Sequence, residues 1–516
     1  FTSNSANTNG GAIYNDLSNT SRNGYLNISS SNFIDNNAVN GGAIFSKNIL
    51  NIKNSNFTNN HATNNGGVIY SSNITMLLNT SSLVNNSATN GGGIYSSHSN
   101  ITANYNYIAN NNGNKYVYIT GSSTFIDLSY NWWGDNNNPL INHVTNTSNV
   151  VLSDYYTVNV KLVSLNGDLA TFNYFLTLKN SEISLGSDYL PAFYGDYYNG
   201  TNHTRFQANT QKTITTSLNG DKLFKVSVDD FVGYLVVFVN DIYGDDFYSG
   251  DSWESSLKSL KKAVNLVIDG GYVYIASSVY NGVNNTNILI DKDLNIIGVN
   301  DNEGCVVFDG ENKFSIFKIL NADVKINNIT FINGNSDNGG VIYSDNSNLT
   351  IKNTNFLNNT AINYGGAIAI NGGGYFNLSN IKFSNNHATY GAGIYLKNTN
   401  NFNLYSSVFE NNTGGIGQSI YLDKDNNGFN VSYSLFLDNG NNIVFSNGSN
   451  TGYFDYNWWG DNNYTNHTNL KVNTYYTATF TTNRTVNTVV GDNCTIFYSF
   501  HLNNTINKGN INLLPD

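Results

Sequence analysis

Asp423 and Asp425, with Lys424 between them, are the residues best placed by type and spacing for acid–base work. Cleaving a glycosidic bond by hydrolysis takes two or three clustered carboxylates. Cleaving it by elimination takes a Lys or Arg base near acidic metal ligands. Asp35 and Asp438 share one place in a repeated phrase, two residues after an aromatic, but in different runs of the repeat. Asp241, Asp245, Asp246 and Asp251 form the densest acidic group. Hard oxygen ligands of that kind suit Ca²⁺, although the glycine-spaced loop of an EF-hand is absent. The seven His are scattered, and His61 and His387, each followed by Ala, read as turn residues. Cys305 and Cys494 lie far apart without metal-ligand spacing, and a disulfide between them is not expected. The ordinary reading of Asp423 to Asp425 is a solvated turn. No catalytic, cofactor-binding or metal-ligating set emerges, so a non-enzymatic role is expected, with Ca²⁺ at the acidic group the one ion carried forward.

What must position any surface chemistry is a repeat. Gly41-Gly42-Ala43-Ile44-Phe45 is followed by Ser55-Asn56-Phe57-Thr58-Asn59-Asn60, and both phrases return. Gly-Gly-x-Ile-Tyr recurs at Gly10, Gly66, Gly91 and Gly339, with looser forms at Gly365, Gly391 and Gly417. Phe-x-x-Asn recurs at Phe33, Phe57, Phe356, Phe383, Phe409 and Phe436. A period of about 25 residues lies in the range of solenoid repeats. Alternation such as Leu50-Asn51-Ile52 marks a strand with one buried face. Strands this short cannot bury a face alone, while the Gly, Asn and Ser between them tolerate turn conformations. Three strands and three turns per unit therefore predict one rung of a parallel β-helix, with rungs about 4.8 Å apart. Asn36, Asn60, Asn86, Asn110, Asn359, Asn386, Asn412 and Asn439 stand three residues after the leading apolar residue. Stacked in register they predict an amide ladder.

The 516 residues exceed one ordinary core and suit several domains or a long array. Charged residues make up 11%, yet 40% are hydrophobic, with 36 Tyr and 29 Phe, which excludes a disordered chain. The net charge of −11 argues against nucleic-acid binding. About two dozen Asn-x-Ser/Thr sequons suit a glycosylated surface protein. Neither a signal peptide nor an apolar run long enough to cross a membrane stands in the sequence. The chain reads as a piece of a longer protein, starting inside a rung and stopping inside a domain.

The first run of rungs, 1–150, closes on Tyr130-Asn131-Trp132-Trp133-Gly134-Asp135-Asn136-Asn137. The same phrase returns from Tyr456 to Asn463. A solenoid must cover its last rung, so each Trp pair is expected to be a lid; a carbohydrate-stacking platform is the rival role. Residues 151–240 lose the Gly-Gly phrase. Strands expected at Thr157 to Leu162, Ala170 to Leu178, Thr213 to Ser217, Leu223 to Val228 and Gly233 to Asn240 suggest an immunoglobulin-like sandwich. Residues 241–470 form a second run, opened by a capping helix over 252–268 with Asp251 as N-cap, Glu254 at N3, and Trp253 and Leu260 inward. Residues 471–516 look like the start of a second sandwich, Asn512-Leu513-Leu514-Pro515 echoing Asp188-Tyr189-Leu190-Pro191.

Together, the GGAIY and FxxN phrases resemble the repeat of chlamydial polymorphic outer membrane proteins. The WWGDNN phrase, Tyr243-Gly244-Asp245-Asp246 and Gly271-Tyr272-Val273-Tyr274-Ile275-Ala276 resemble adhesin-like surface proteins of methanogenic archaea. The resemblance implies a right-handed, pectin-lyase-type β-helix alternating with immunoglobulin-like spacers on long extracellular proteins, and no particular ligand. An adhesin presenting a rigid surface to a cell or glycan is the function it favours. A carbohydrate-active enzyme and a purely structural cell-surface spacer stay open beside it, since fold alone does not decide function.

Overall fold

A computed structural model describes residues 1–16, 24–122, 125–145, 147–181, 189–218, 223–300, 304–482, 495–503, 509 and 511–515. Cys494 and Asp188 lie outside the described residues. The chain divides into two compact units, Phe1–Leu235 and Val236–Asp516. It is an all-β parallel solenoid with two short α-helices among the described residues, Pro139–Asn142 and Leu260–Leu266.

In the first unit, parallel strands pair rung to rung in sheets of five, six, four and four. Each rung therefore has four strands rather than the three expected. The additional strand, such as His61–Asn65, carries one small inward residue, Ala62, between polar neighbours. No apolar alternation announces it. His61 and His387 begin such strands instead of occupying turns, and both are exposed.

Two buried polar ladders define the rung. In the first, Asn36 Nδ2 donates to Asn60 Oδ1 at 2.8 Å, Asn60 to Asn86 at 3.0 Å and Asn86 to Asn111 at 3.0 Å. Each Asn from Asn60 to Asn111 also accepts from the backbone N–H of the ladder residue one rung earlier, so these ladder amides are not left open. The residue before each ladder Asn takes a left-handed turn, with φ of 56° at Asp35 and Asn59 and 55° at Asn110. Asn and Asp are the non-glycine residues that tolerate this conformation. Asn110 is thus the turn residue, and Asn111 the ladder member, because Ile108 rather than Tyr107 pairs with Leu83. The second ladder runs through Ser55 and Ser81 to Asn106 and ends at Asn131. At the Gly-Gly phrase, Gly41 has φ 63°, and a Cβ on Gly42 would lie 2.3 Å from the Gly67 carbonyl of the next rung. Only glycine fits that approach.

Beyond the rungs, the first unit holds antiparallel strands. Tyr156–Asn166 pairs with Leu169–Leu178, which pairs with Lys212–Ser217. Tyr194–Asn199 pairs with Asn202–Gln207 and with Phe224–Val228, and the last pairs with the strand starting at Phe231. Phe172 and Phe224, one from each set, stack at 3.8 Å. The strands at 194–199 and 202–207 were not expected; their sequence mixes Tyr, Asp, His and Arg without a clean apolar face.

The second unit repeats the plan. The strands after its Gly phrases lie in a seven-stranded sheet, which runs from Ile288–Ile290 to Val444–Ser446. Phe356 and Phe383 are fully buried and stacked at 5.1 Å, in a column that continues through Phe409 and Phe436 to Trp459. The ladder runs from Asn359 through Asn386 and Asn412 to Asn439. The helix is shorter than expected: Leu260–Leu266, with Ser259 as N-cap, its hydroxyl accepting from the Lys262 N–H. Asp251 instead accepts from the hydroxyls of Ser249 and Ser255 and holds a turn. After Leu266 the β-branched pair Val267-Ile268 enters a strand running to Ala276. Leu260, Ala263 and Val264 face inward, while Trp253 stays 38% exposed against Phe238.

Candidate functional site

With Ile and Ser of each Gly-Gly strand inward, the Tyr between them points outward. In the first unit Tyr14, Phe45, Tyr70, Tyr95 and Tyr118 form a column with centroids 4.7–5.7 Å apart. Rings stacked this way cover each other's faces and offer edges and hydroxyls to solvent. In the second unit the column is Tyr343, Ala369, Tyr395, Tyr421 and Phe445. Ala369 interrupts it, and Tyr364 of the same rung brings its ring to 4.5 Å from Tyr395.

Asp423 borders this column. Tyr395 Oη donates to its Oδ2 at 2.6 Å, and Asn447 Nδ2 donates to its Oδ1 at 3.0 Å. Burial pushes the carboxyl up, but these hydrogen bonds and the Lys397 charge outweigh it and leave the group below its ordinary value. Burial, with the Asp423 bond and charge, drives the Tyr395 phenol upward. Asp423 is thus a held anion rather than a proton donor. Asp425 occupies a left-handed turn with φ 64° and is exposed, as is Lys424.

A second surface lies on another face of the same unit. Two contiguous grooves, of about 760 and 380 Å³, share Asn430, Ser432 and Tyr433. Their floor is a row in register: Asn377 pairs with Asn403, Asn403 with Asn430, and Asn430 with Tyr453. Tyr375, Tyr405, Tyr433 and Tyr456 line the grooves as well, with Asp455 at one end and Leu513, whose carbonyl accepts from the Ser406 hydroxyl, at the other. Tyr375, Tyr405 and Tyr453 are 50%, 39% and 65% exposed.

The other residues singled out in the sequence are engaged locally. Asp35 and Asp438 take the left-handed turn before the ladder Asn, with φ 56° and 52°. Asp246 accepts from the N–H groups of Lys258 and Ser259, and Asp245 from that of Phe247. Among the described residues no group of three His, Cys, Asp or Glu is placed to hold a metal ion. His61 and His387 each meet a hydroxyl on the next rung, Ser87 and Thr413. Cys305 is a free, exposed thiol.

The Trp pairs are not a paired platform. Trp132, Trp133 and Trp459 are buried to 1% exposure or less, and Trp458 is half-buried. The phrase is itself a rung turn. Tyr130 and Tyr456 are left-handed, Asn131 and Asn457 end the inner ladders, and Trp459 lies 4.9 Å over Phe436. Trp132 Nε1 donates to Asp229 at 2.7 Å, as does the Tyr107 hydroxyl. Sequence reading missed Asp229, because its partners lie far away along the chain.

Burial raises the Asp229 carboxyl, and the hydrogen bonds from Trp132 and Tyr107 only partly offset this. The folded state thus binds this proton more tightly than the unfolded chain. Its contribution to stability falls as pH rises from the ordinary carboxylate range through the raised value. Urea midpoints of wild type and Asp229→Asn across that window are expected to diverge, wild type losing ground to the variant as pH rises. A constant difference between the two would refute this.

The repeat of the Chlamydia polymorphic membrane protein matches residues 1–16 and 54–72 of this chain. No curated protein matches it. A solved structure, a rhamnogalacturonan lyase, is 13% identical and covers 42% of this chain and 70% of its own, with a TM-score of 0.17, too low to argue from. No helix among the described residues is long and apolar enough to cross a membrane.

Proposed function

We propose that this chain belongs to an extracellular, adhesin-like surface protein that attaches to a cell or glycan without catalysis. The observation that carries this is the outward repetition of aromatic and amide side chains, held in register by buried ladders. A solenoid so built is rigid and offers long faces to a partner. The match to a membrane-protein repeat supports a surface location. In this reading the rungs are a right-handed, pectin-lyase-type helix, as in the adhesin-like proteins of methanogenic archaea. Residues 1–150 and 241–470 are its runs. Residues 151–240 and 471–516 are immunoglobulin-like spacers. The three-stranded and four-stranded antiparallel sets at 156–239 suit such a sandwich. Tyr476 opposite Leu502 echoes Tyr156 opposite Leu178.

Adhesion of the immobilised chain to cells and to a glycan array, run beside a reducing-sugar release assay, tests the proposal. Binding without sugar release is expected. Release of sugar would make the protein a carbohydrate-active enzyme, and silence in both assays would make it a spacer.

A further inference from the structure

We infer that the groove floored by Asn377, Asn403 and Asn430 binds a neutral, extended polysaccharide lying along the stack of rungs. This rests on the adhesin reading and names the ligand class and the site.

Amides elsewhere on the outside of the rungs pair with each other. Asn51 donates to Asn27, Asn346 to Asn321, Asn353 to Asn327 and Asn380 to Asn353, at 2.7–3.0 Å. The groove row has the same register, one amide per rung at about 4.8 Å spacing. Its members nevertheless do not bond to each other. Asn403 donates only to the backbone oxygen of Asn401, and Asn377 and Asn430 have no side-chain partner among the described residues. Each amide carries both donors and an acceptor. A row of open amides one rung apart can satisfy a series of sugar hydroxyls, which also donate and accept.

The walls supply the apolar half of such recognition. Tyr433 and Tyr456 stack on each other at 5.3 Å, so each has one covered face. Tyr375, Tyr405 and Tyr453 stack on no ring among the described residues and stay exposed, so they offer aromatic surface to the C–H groups of a pyranose. The column around Tyr395 lacks this property, its rings covering one another.

Charge selects within the class. Among the described residues of the lining the only charged one is Asp455. With no cation among the described residues of the lining, an anionic chain of uronic acids would meet repulsion from Asp455 without compensation from them. An extended peptide is disfavoured for a different reason. Adding as a strand, it would be confined to Thr451–Tyr453, the last strand of the sheet, because the backbone groups beside Asn377 and Asn403 already pair rung to rung.

The test is titration calorimetry of the full chain with neutral hexasaccharides (cellohexaose, xylohexaose, mannohexaose), with hexagalacturonate, and with an extended Ser/Thr-rich peptide. Asn403→Ala and Tyr405→Ala change outward side chains, and an unchanged melting curve checks that each is folded. Binding of at least one neutral hexasaccharide, weakened tenfold or more by each groove variant and unaffected by Tyr364→Ala, supports the inference. Preference for hexagalacturonate or the peptide overturns it, as does binding that Tyr364→Ala abolishes and the groove variants spare. If the chain adheres to cells yet no hexasaccharide binds, the groove assignment fails while the adhesin reading stands. If adhesion itself is absent, that reading fails.

Discussion

Replacing Asn386 by Ala is expected to cost about 4 kcal/mol, because two or three buried polar groups lose their partner at roughly 1–3 kcal/mol each. Asn386 Oδ1 accepts from both the backbone N–H and the Nδ2 of Asn359, at 3.1 and 3.0 Å. Its own Nδ2 donates to Asn412 Oδ1 and to the Phe356 carbonyl, at 2.9 and 3.0 Å. The Asn386 residue is fully buried, so water does not replace these bonds. The Asn412 oxygen keeps one donor, the backbone N–H of residue 386. The severe losses therefore fall on Asn359 and Phe356, on the rung before. Urea unfolding followed by Trp fluorescence measures the effect. Asn355→Ala serves as the reference: this exposed Asn on the outside of the neighbouring strand should change stability by no more than about 0.5 kcal/mol. A loss at Asn386 below about 1 kcal/mol would show that the ladder relaxes and that its bonds are replaceable.

Phe383→Ala is expected to cost about 3–5 kcal/mol. The ring lies between Phe356 at 5.1 Å and Phe409 at 4.7 Å, nearly parallel to both, with no exposure. The cost of such a truncation depends on whether neighbours can fill the cavity. Here Asn386 is locked three residues later, and the backbone of Phe383 pairs with Phe356 and Phe409 on both sides. The rungs cannot close up without breaking both ladders, so the upper end of the range applies. Phe383→Leu fills most of the volume and should cost distinctly less. The difference between the two variants in denaturant midpoint is the check, and equal midpoints would remove Phe383 from the core.

These effects are local because each rung touches only its neighbours. Two variants several rungs apart should add, while Asn386→Ala and Phe383→Ala in one rung should not.

Particular residues show how far the sequence could be read. The spacing of Phe356, Phe383, Phe409 and Phe436, each three residues before an Asn, sufficed to place both column and ladder. A strict period puts like beside like in a stacked structure, whatever the details of each turn. The same rule failed at Tyr107. There the aromatic stands one place before the inward position, and Ile108 takes the core. Burial, not aromaticity, sets the register, and a slip of one residue turns a strand inside out. The column also admits Phe308 and Phe331, which the phrase did not reveal, since Gly334 stands where an Asn would close the Phe331 turn. The helix pattern at Asp251 and Glu254 was present in the sequence but lost in competition. Asp246 binds the N–H groups of Lys258 and Ser259 from twelve and thirteen residues away, and Ser259 becomes the cap.

By itself, the sequence determined the repeat, its polarity of faces and its inner Phe and Asn columns, because these depend on local spacing that recurs. The tertiary structure alone decided which of many Asn are buried partners and which lie open. Asn386 and Asn403 are the same residue type. One is turned into the core and satisfied on both sides; the other faces a groove whose walls come from three other rungs. It also decided that Asp229 receives Trp132 and Tyr107, and that Asp423 is an anion held by Tyr395 and Asn447. Those contacts join residues from about 24 to more than 100 positions apart, and only stacking and packing bring them within hydrogen-bond reach.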